Sequence, residues 1–430
     1  MGLEQTRAGA CGRFPAHEDG PLRICLLSYR SNPHCGGQGV YVRHLSRALT
    51  ELGHKVDVVS GPPYPCLHNG IALHRLRSLD LYNPEDPFRI PHVLEFASPV
   101  NILEWLGVTT MGFPEPMTFG LRAYPFVRRR RAHYDVVHDN QCLAYGIWLI
   151  SRFLPTVSTI HHPITVDRDV AVRSVRSWFK KLKWKRWYSF VGMQQRVSRH
   201  MLRVITVSEC SRRDIAGVFP IRPHRIRVVP NGIDTEVFRQ RPWIERKRNQ
   251  ILVTNSADTP LKGLYHLLKA VSEVRKRHDV RLVVVGSPKR NGGVMRLVRE
   301  LGLNDIIQFT GRIDDDDFVR QYARAAMAVV PSVYEGFGLP AGEAMACGVP
   351  VISTTGGALP EVVGDAGILV PPADPKALEA AICDLLEHPE KAERIGHAGW
   401  QRVRGLFTWK RAAEKTVEVY REALRAHRGL

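Results

Sequence analysis

No stretch of this chain approaches the roughly 20 consecutive apolar residues that a bilayer-spanning helix requires. Residues 1–20 carry glycine, proline and charges of both signs, and they lack the apolar centre of a secretory leader. The expectation is a soluble or peripheral protein with a disordered tail over 1–21. Cysteines are few and scattered, at 11, 25, 35, 66, 142, 210, 347 and 383. No pair has metal-ligand or redox spacing, which excludes a zinc module or disulfide framework and reads as buried thiols in a reducing, cytoplasmic compartment. The Gly-x-Gly-x-x-Gly fingerprint of dinucleotide binding is missing. Acidic residues are in short supply, 42 Asp and Glu against 61 Lys and Arg, for a formal charge of +19. That balance favours an anionic partner: nucleotide, nucleic acid or acidic membrane surface.

What is present fills 430 residues, too many for one ordinary core, so two α/β domains are expected. The second of them is organised around Glu335-Gly336-Phe337-Gly338-Leu339-Pro340-Ala341-Gly342-Glu343. The apolar run Met327–Val330 before it predicts a buried strand, Pro340 suits the first turn of a helix, and Cys347-Gly348 suits its end. Gly336 and Gly338 then fall in the strand-to-helix turn, where a ligand can approach the backbone and unpaired N–H groups face an anion. Carboxylates beside an anion site would repel phosphate, so Glu335 and Glu343 are better suited to accepting hydrogen bonds from hydroxyls. A ligand with phosphates in the middle and hydroxyls at both ends, such as a nucleotide sugar, fits this layout. Turn geometry alone explains the same pattern without any ligand.

In the first half, Arg23–Ser28 reads as a strand and Asn32–Gly39 as a glycine-bearing loop. Val40–Leu52 reads as an amphipathic helix and Lys55–Val59 as a second strand, the opening of a doubly wound domain. Val93–Leu106 reads as a helix that Pro99 would shorten. His161-His162-Pro163 follows a strand over Thr156–Ile160. Residues 172–203 hold ten Lys/Arg, no Asp or Glu, and interleaved Trp178, Phe179, Trp184, Trp187, Tyr188 and Phe190. With no proline there, a helix is expected. The composition suits an anionic membrane surface; a surface helix packing its aromatics on the domain comes next, and nucleic acid is given least weight. The four aspartates 314–317 at a helix start read as capping and dipole complement rather than a metal site.

The nine-residue string resembles the Glu-x7-Glu signature of retaining GT-B glycosyltransferases, that is, glycosyltransferase family 4 or glycosyl transferases group 1. Among these the chain is similar to enzymes of the phosphatidylinositol mannosyltransferase type. Gly36-Gly37-Gln38-Gly39-Val40-Tyr41, Pro230-Asn231-Gly232-Ile233-Asp234 and Thr354–Glu361 are family-like too, and the last, a glycine loop at a strand end, is expected near the donor. The resemblance implies a GT-B fold, two Rossmann-like doubly wound domains facing a cleft. The acceptor-binding domain would span 22–234, a linker 235–249, and the donor-binding domain 250–405, with a helix over 406–430 crossing back to the first. It implies retaining transfer of a hexose from a nucleotide-diphosphate sugar to a lipid or glycan acceptor, without metal or further cofactor. Glu335 would face the transferred sugar, with His161 (His162 as substitute) reaching it from the other domain. Lys262 would meet the donor diphosphate. Gly36, Gly37, Gly232 and the backbone around Phe337, Gly338 and Leu339 would line the donor, and Glu343 would hold its ribose. Asp167 and Arg168 could bind acceptor groups. A family arginine upstream of Lys262 is missing, with Asn255, Ser256 and Ala257 in its place; Lys289 and Arg290 are candidates to supply the charge. That departure keeps open a catalytically weak binding module, and the fold also serves nucleotide-sugar epimerases. A site on the inner face of the cell membrane agrees with the basic stretch.

Overall fold

The computed structural model describes residues 20–429 apart from 33–36, 84, 85, 87, 88, 174, 176 and 255–258. The chain forms two all-parallel sheets. The first contains β1 (Arg23–Ser28), β2 (Lys55–Ser60), β3 (Ala72–Arg75), β4 (Val136–Asn140), β5 (Thr156–Thr159), β6 (Arg203–Thr206) and β7 (Ile226–Val228), in the spatial order 3-2-1-4-5-6-7. The second contains β8 (Lys247–Thr254), β9 (Arg281–Val285), β10 (Ile307–Phe309), β11 (Ala325–Val330), β12 (Val351–Thr354) and β13 (Ile368–Val370), in the order 10-9-8-11-12-13. Each order reverses once, between β1 and β4 and between β8 and β11. Open α/β sheets bind ligands at such switch points, beyond the strand C-termini.

Helices cover both faces of each sheet, so the central strands are buried on both sides. In β1, Ile24 to Ser28 are all buried, as is the whole of β4. One core cluster under the first sheet gathers Cys25, Leu27, Val137 and Ile147. On its opposite face Leu26, Tyr41, Leu45 and Val58 meet Trp409, Val417 and Tyr420 of the last helix, Trp409–Arg428. That helix therefore completes the core of the first domain from the far end of the chain. It is fastened by Tyr420, whose hydroxyl lies 2.6 Å from His138 Nδ1, and by Glu422, paired with Arg203 and Arg227. At the crossing, Ile233 N donates to Phe407 O at 2.8 Å.

Several local expectations are corrected. The 235–249 linker is shorter, because β8 begins at Lys247. The helix expected over 93–106 is a 3-10 turn, Val93–Ala97, then a helix, Pro99–Thr109, with Pro99 at its start. Proline lacks an N–H to give, so it begins a new helix where it cannot continue the old one. Residues 172–203 are not one helix. Thr165–Arg173, Trp178–Trp187 and Phe190–Ser198 are separate, and Phe190, Val191, Met193 and Val197 of the third are buried in the core. Among the described residues of this stretch, 178–187 is left as the exposed basic–aromatic element. Among the described residues no helix is long and apolar enough to cross a membrane.

Candidate functional site

The glycine-rich turn closes as its residue types require. Gly338 stands at φ +102°, a left-handed conformation that costs a side chain strain, and opens the helix Leu339–Ala346. Pro340 sits in the first turn, and Gly348 (φ +68°) follows the Cys347 cap. At Gly336 a Cβ would come within 3.0 Å of His162 Cβ and 3.1 Å of the His161 carbonyl, so the missing side chain is what lets the two domains meet here.

Lys262 ends the 3-10 turn Pro260–Lys262, and Gly263 (φ +70°) turns the chain into the helix Leu264–Val274. A Cβ at Gly263 would overlap the Pro331 carbonyl, and Val333 N donates to Leu261 O at 2.8 Å. The Lys262 turn is thus pinned to the end of β11. Its Nζ lies 2.7 Å from Glu335 Oε1, which also accepts from Ser332 Oγ at 2.9 Å. The lysine and glutamate expected to act on the donor are brought together as an ion pair, part-buried, in the cleft.

Across the cleft, His161 follows β5. Its Nε2 is 2.8 Å from Asn140 Oδ1, and its backbone N–H donates to Gln141 Oε1 at 3.0 Å. The Asn140 amide nitrogen donates to Ser28 Oγ and Gln38 O, which orients Oδ1 toward the ring. The proton therefore sits on His161 Nε2, and Nδ1 is an acceptor. Burial, reinforced by His162, lowers the pKa of His161 to about 3, so the ring is neutral. Tyr41 packs edge-on at 4.7 Å between ring centres. His162 is turned to Asp167, 2.7 Å away, while Arg168 pairs with Asp169.

Glu343 lies one helical turn into Leu339–Ala346. Burial raises its pKa to about 7, against a hydrogen bond from Tyr322 Oη (3.5 Å) and with the negative charge of Asp315 adding to the rise. Phe337 is buried against Phe407, and the half-buried Leu339 packs on the same core. Gly232 packs under the backbone of Trp409, where a Cβ would overlap it; this glycine belongs to the chain crossing. Gly37 is exposed at the start of the helix Gly37–Glu51, with open space around it. Gly36 and residues 255–258 lie outside the described residues. Lys289 and Arg290 are exposed in the loop after β9. Asp314 caps the helix Asp315–Arg324 by accepting from Asp317 N. Among the described residues no group of three or more His, Cys, Asp and Glu is placed to hold a metal.

Sequence reasoning passed over several contacts. The helix Glu209–Val218 meets the second domain at its N-terminus. Glu361 Oε2 and Oε1 accept from Glu209 N and Cys210 N, each at 2.7 Å, and Ser208 Oγ donates to Gly336 O at 2.9 Å. Tyr334 Oη donates to Asp214 Oδ2 at 2.6 Å. Ser208 at the start of that helix was a readable N-cap signal; its partner across the cleft was not.

Residues 35–237 match the family described as Glycosyltransferase Family 4, and residues 234–402 match Glycosyl transferases group 1. The chain is 48% identical over 408 residues to the MMP alpha-(1->4)-mannosyltransferase of Mycolicibacterium hassiacum, covering 94% of this chain and 98% of that protein. It is 28% identical over 430 residues to glycogen synthase of Mycobacterium tuberculosis, covering 95% and 96% of the two chains. Among solved structures, sucrose-phosphate synthase from Thermosynechococcus elongatus superposes with a TM-score of 0.72 at 26% identity, over 94% of this chain and 99% of that one. Anabaena HepE in complex with UDP and glucose shares the fold, with a TM-score of 0.65 at 17% identity over 92% and 98% of the chains. Two facing Rossmann-like domains, a Glu-x7-Glu turn at the switch point of the second, and full-length similarity to a mannosyltransferase lead to one assignment: the chain belongs to the GT-B glycosyltransferases of family 4, group 1.

Proposed function

We propose that the protein transfers an α-linked mannosyl residue from a nucleotide-diphosphate mannose to a sugar hydroxyl with retention of configuration. The observation that carries this reading is the meeting of Lys262, Glu335 and His161 from two domains in one cleft, in a chain 48% identical to a mannosyltransferase over nearly its whole length. The donor diphosphate takes Lys262 Nζ from Glu335. The ammonium then opposes the charge that grows on the leaving phosphate as the glycosidic bond breaks. Glu335, so freed, accepts hydroxyls of the transferred sugar, and Glu343 accepts those of the ribose. His161, neutral and fixed by Asn140, faces the sugar ring with a polar group that adds no charge near an oxocarbenium-like centre. The leaving phosphate oxygen takes the acceptor proton, on the same face as the bond that breaks, and the new bond forms there, which retains configuration. No metal or cofactor takes part in these steps.

The acceptor side carries a second element of this reading. Trp178 and Phe179 are 69% and 62% exposed among Lys180, Lys181, Lys183 and Lys185. An anionic membrane surface on the cytoplasmic side suits that element, since indole rings favour the headgroup region and lysines meet lipid phosphate. Flotation with phosphatidylglycerol-containing against purely zwitterionic vesicles tests it, binding to neither being the adverse result.

The reaction is tested by incubating the protein with GDP-, UDP- and ADP-mannose and glucose, with a mannoside acceptor, in buffer containing EDTA. An α-linked product made by the wild type and lost in Lys262→Ala supports the reading. Nucleotide binding without product in any combination would favour the weak binding module.

A further inference from the structure

The helix Glu209–Val218 begins in the first domain, yet its exposed end is completed by the second. Its first two backbone N–H groups, of Glu209 and Cys210, both donate to the carboxylate of Glu361 at 2.7 Å. The third, of Ser211, is taken by Ser208 Oγ at 3.0 Å. A carboxylate on the positive end of a helix makes charge-assisted bonds, the strong kind, and here it makes two. Glu361 is itself held in place. Arg402 Nη2 donates to its carbonyl at 2.9 Å, and Arg402 Nε donates to Val362 O at 2.8 Å.

The same helix start touches the reacting side. Ser208 and Ser211 hydroxyls lie 2.9 and 3.2 Å from Gly336 O, and Ser211 Oγ is also 3.2 Å from His161 O. Gly336 is the neighbour of Glu335, and Ala358 N donates to Glu335 O at 2.9 Å, bracing the Glu335 turn against the Glu361 segment. Tyr334 adds its bond to Asp214 one turn along. One helix end thus aligns Glu335 of the second domain with His161 of the first.

We propose that Glu361 is a positioning residue that locks the two domains in register, so that Glu335 faces His161 only while its carboxylate is seated on the first turn of Glu209–Val218. The proposal rests on the transferase reading for its kinetic consequence, and on the geometry alone for its structural one. The donor side, Lys262 and Glu343, lies wholly within the second domain. Unseating Glu361 should therefore leave donor binding intact and slow the transfer step. A displacement of about 1 Å between reacting groups is enough to lower a rate about 100-fold.

The test compares wild type with Glu361→Ala, Glu361→Gln and Tyr334→Phe. Small-angle scattering of the ligand-free proteins should give a larger radius of gyration for Glu361→Ala. In the same variant kcat should fall about 10- to 100-fold, while the Kd for GDP, UDP or ADP, whichever the wild type binds, stays within about 2-fold. Glu361→Gln should lie between, since its amide oxygen accepts one N–H while its NH2 opposes the other. Should Glu361→Ala not fold, Tyr334→Phe, which removes a single hydroxyl, must show the same pattern on a smaller scale. An unchanged radius with unchanged kcat overturns the proposal. So does a loss of nucleotide affinity that matches the loss of kcat, because Glu361 would then be a donor contact. If the wild type binds none of the three nucleotides, the transferase reading falls, and the scattering comparison still decides on the lock.

Discussion

The carboxyl of Glu343 offers the sharpest test of the donor site, because burial has moved its pKa to about 7, inside the range where binding is measured. Only the ionised form offers both oxygens as acceptors to the two ribose hydroxyls, so the binding-competent fraction falls as the pH drops through 7. At pH 8 about nine-tenths of the protein is competent and at pH 6 about one-tenth, so the apparent Kd should rise about 10-fold, or about 1.4 kcal/mol. The groups facing Glu343 do not confuse the reading. Burial holds the Tyr322 phenol well above its usual range and therefore protonated. An intact nucleotide sugar is the ligand to use, since its diphosphate diester does not titrate between pH 6 and 8. Calorimetry in two buffers of different ionisation enthalpy adds a second readout: about half a proton should be released on binding at pH 7. Glu343→Gln should bind more weakly and show a flat profile. A wild-type Kd that changes less than about 2-fold from pH 6 to 8, or a Gln variant that keeps the slope, would refute the assignment of Glu343 to the ribose.

Gly263→Ala forces a left-handed residue and pushes a Cβ onto the Pro331 carbonyl; a loss of about 2 kcal/mol or more in urea unfolding is expected. Because Lys262 is its neighbour, the thermal shift given by the donor nucleotide should shrink with it. Tyr420→Phe leaves His138 Nδ1 without its partner inside the core, a cost of about 1–3 kcal/mol measured by the urea midpoint, with donor affinity unchanged. Burial lowers the His138 pKa from 6.5 to about 3, so the folded state resists protonation. The stability this provides is complete above about pH 6.5 and is lost as pH falls toward 3, so urea midpoints should decline from pH 7.5 to 5, less steeply in His138→Gln.

The parallel sheets were legible where strands buried on both faces carry apolar runs, as in Ile24–Leu27 of β1, Ile251–Val253 of β8 and all of β11. Strands β3, β7 and β13 were not. β3 is Ala-Leu-His-Arg with no buried residue, and β7 and β13 have three residues each, too few to show a period. The helix Pro99–Thr109 defeats pattern reading for another reason: Glu104, 2% exposed and paired with Arg122, is its one buried residue, while Ile102, Leu103 and Leu106 face outward. At the site, the Glu335–Glu343 string stood out by residue type and spacing, the family resemblance pointed to Lys262, and the geometry joins Lys262 to Glu335. What spacing could not carry was the third dimension. Glu361 reads as the end of a family-like glycine loop until the other domain lies across it, and nothing in the string tells that Glu343 is buried enough to hold its proton near neutrality.

The C-terminal helix has a consequence for how the protein is made. On a ribosome, β1 to β7 emerge first, but the groove formed by Tyr41, Leu45, Val58 and His138 waits for Trp409, Val417 and Tyr420. At 5–20 residues per second, the intervening 180 or so residues take roughly 10–40 s to synthesise. Through that interval the nascent first domain carries an open apolar groove, a binding surface for chaperones and a route to aggregation. A message truncated before codon 409 yields a first domain that never closes.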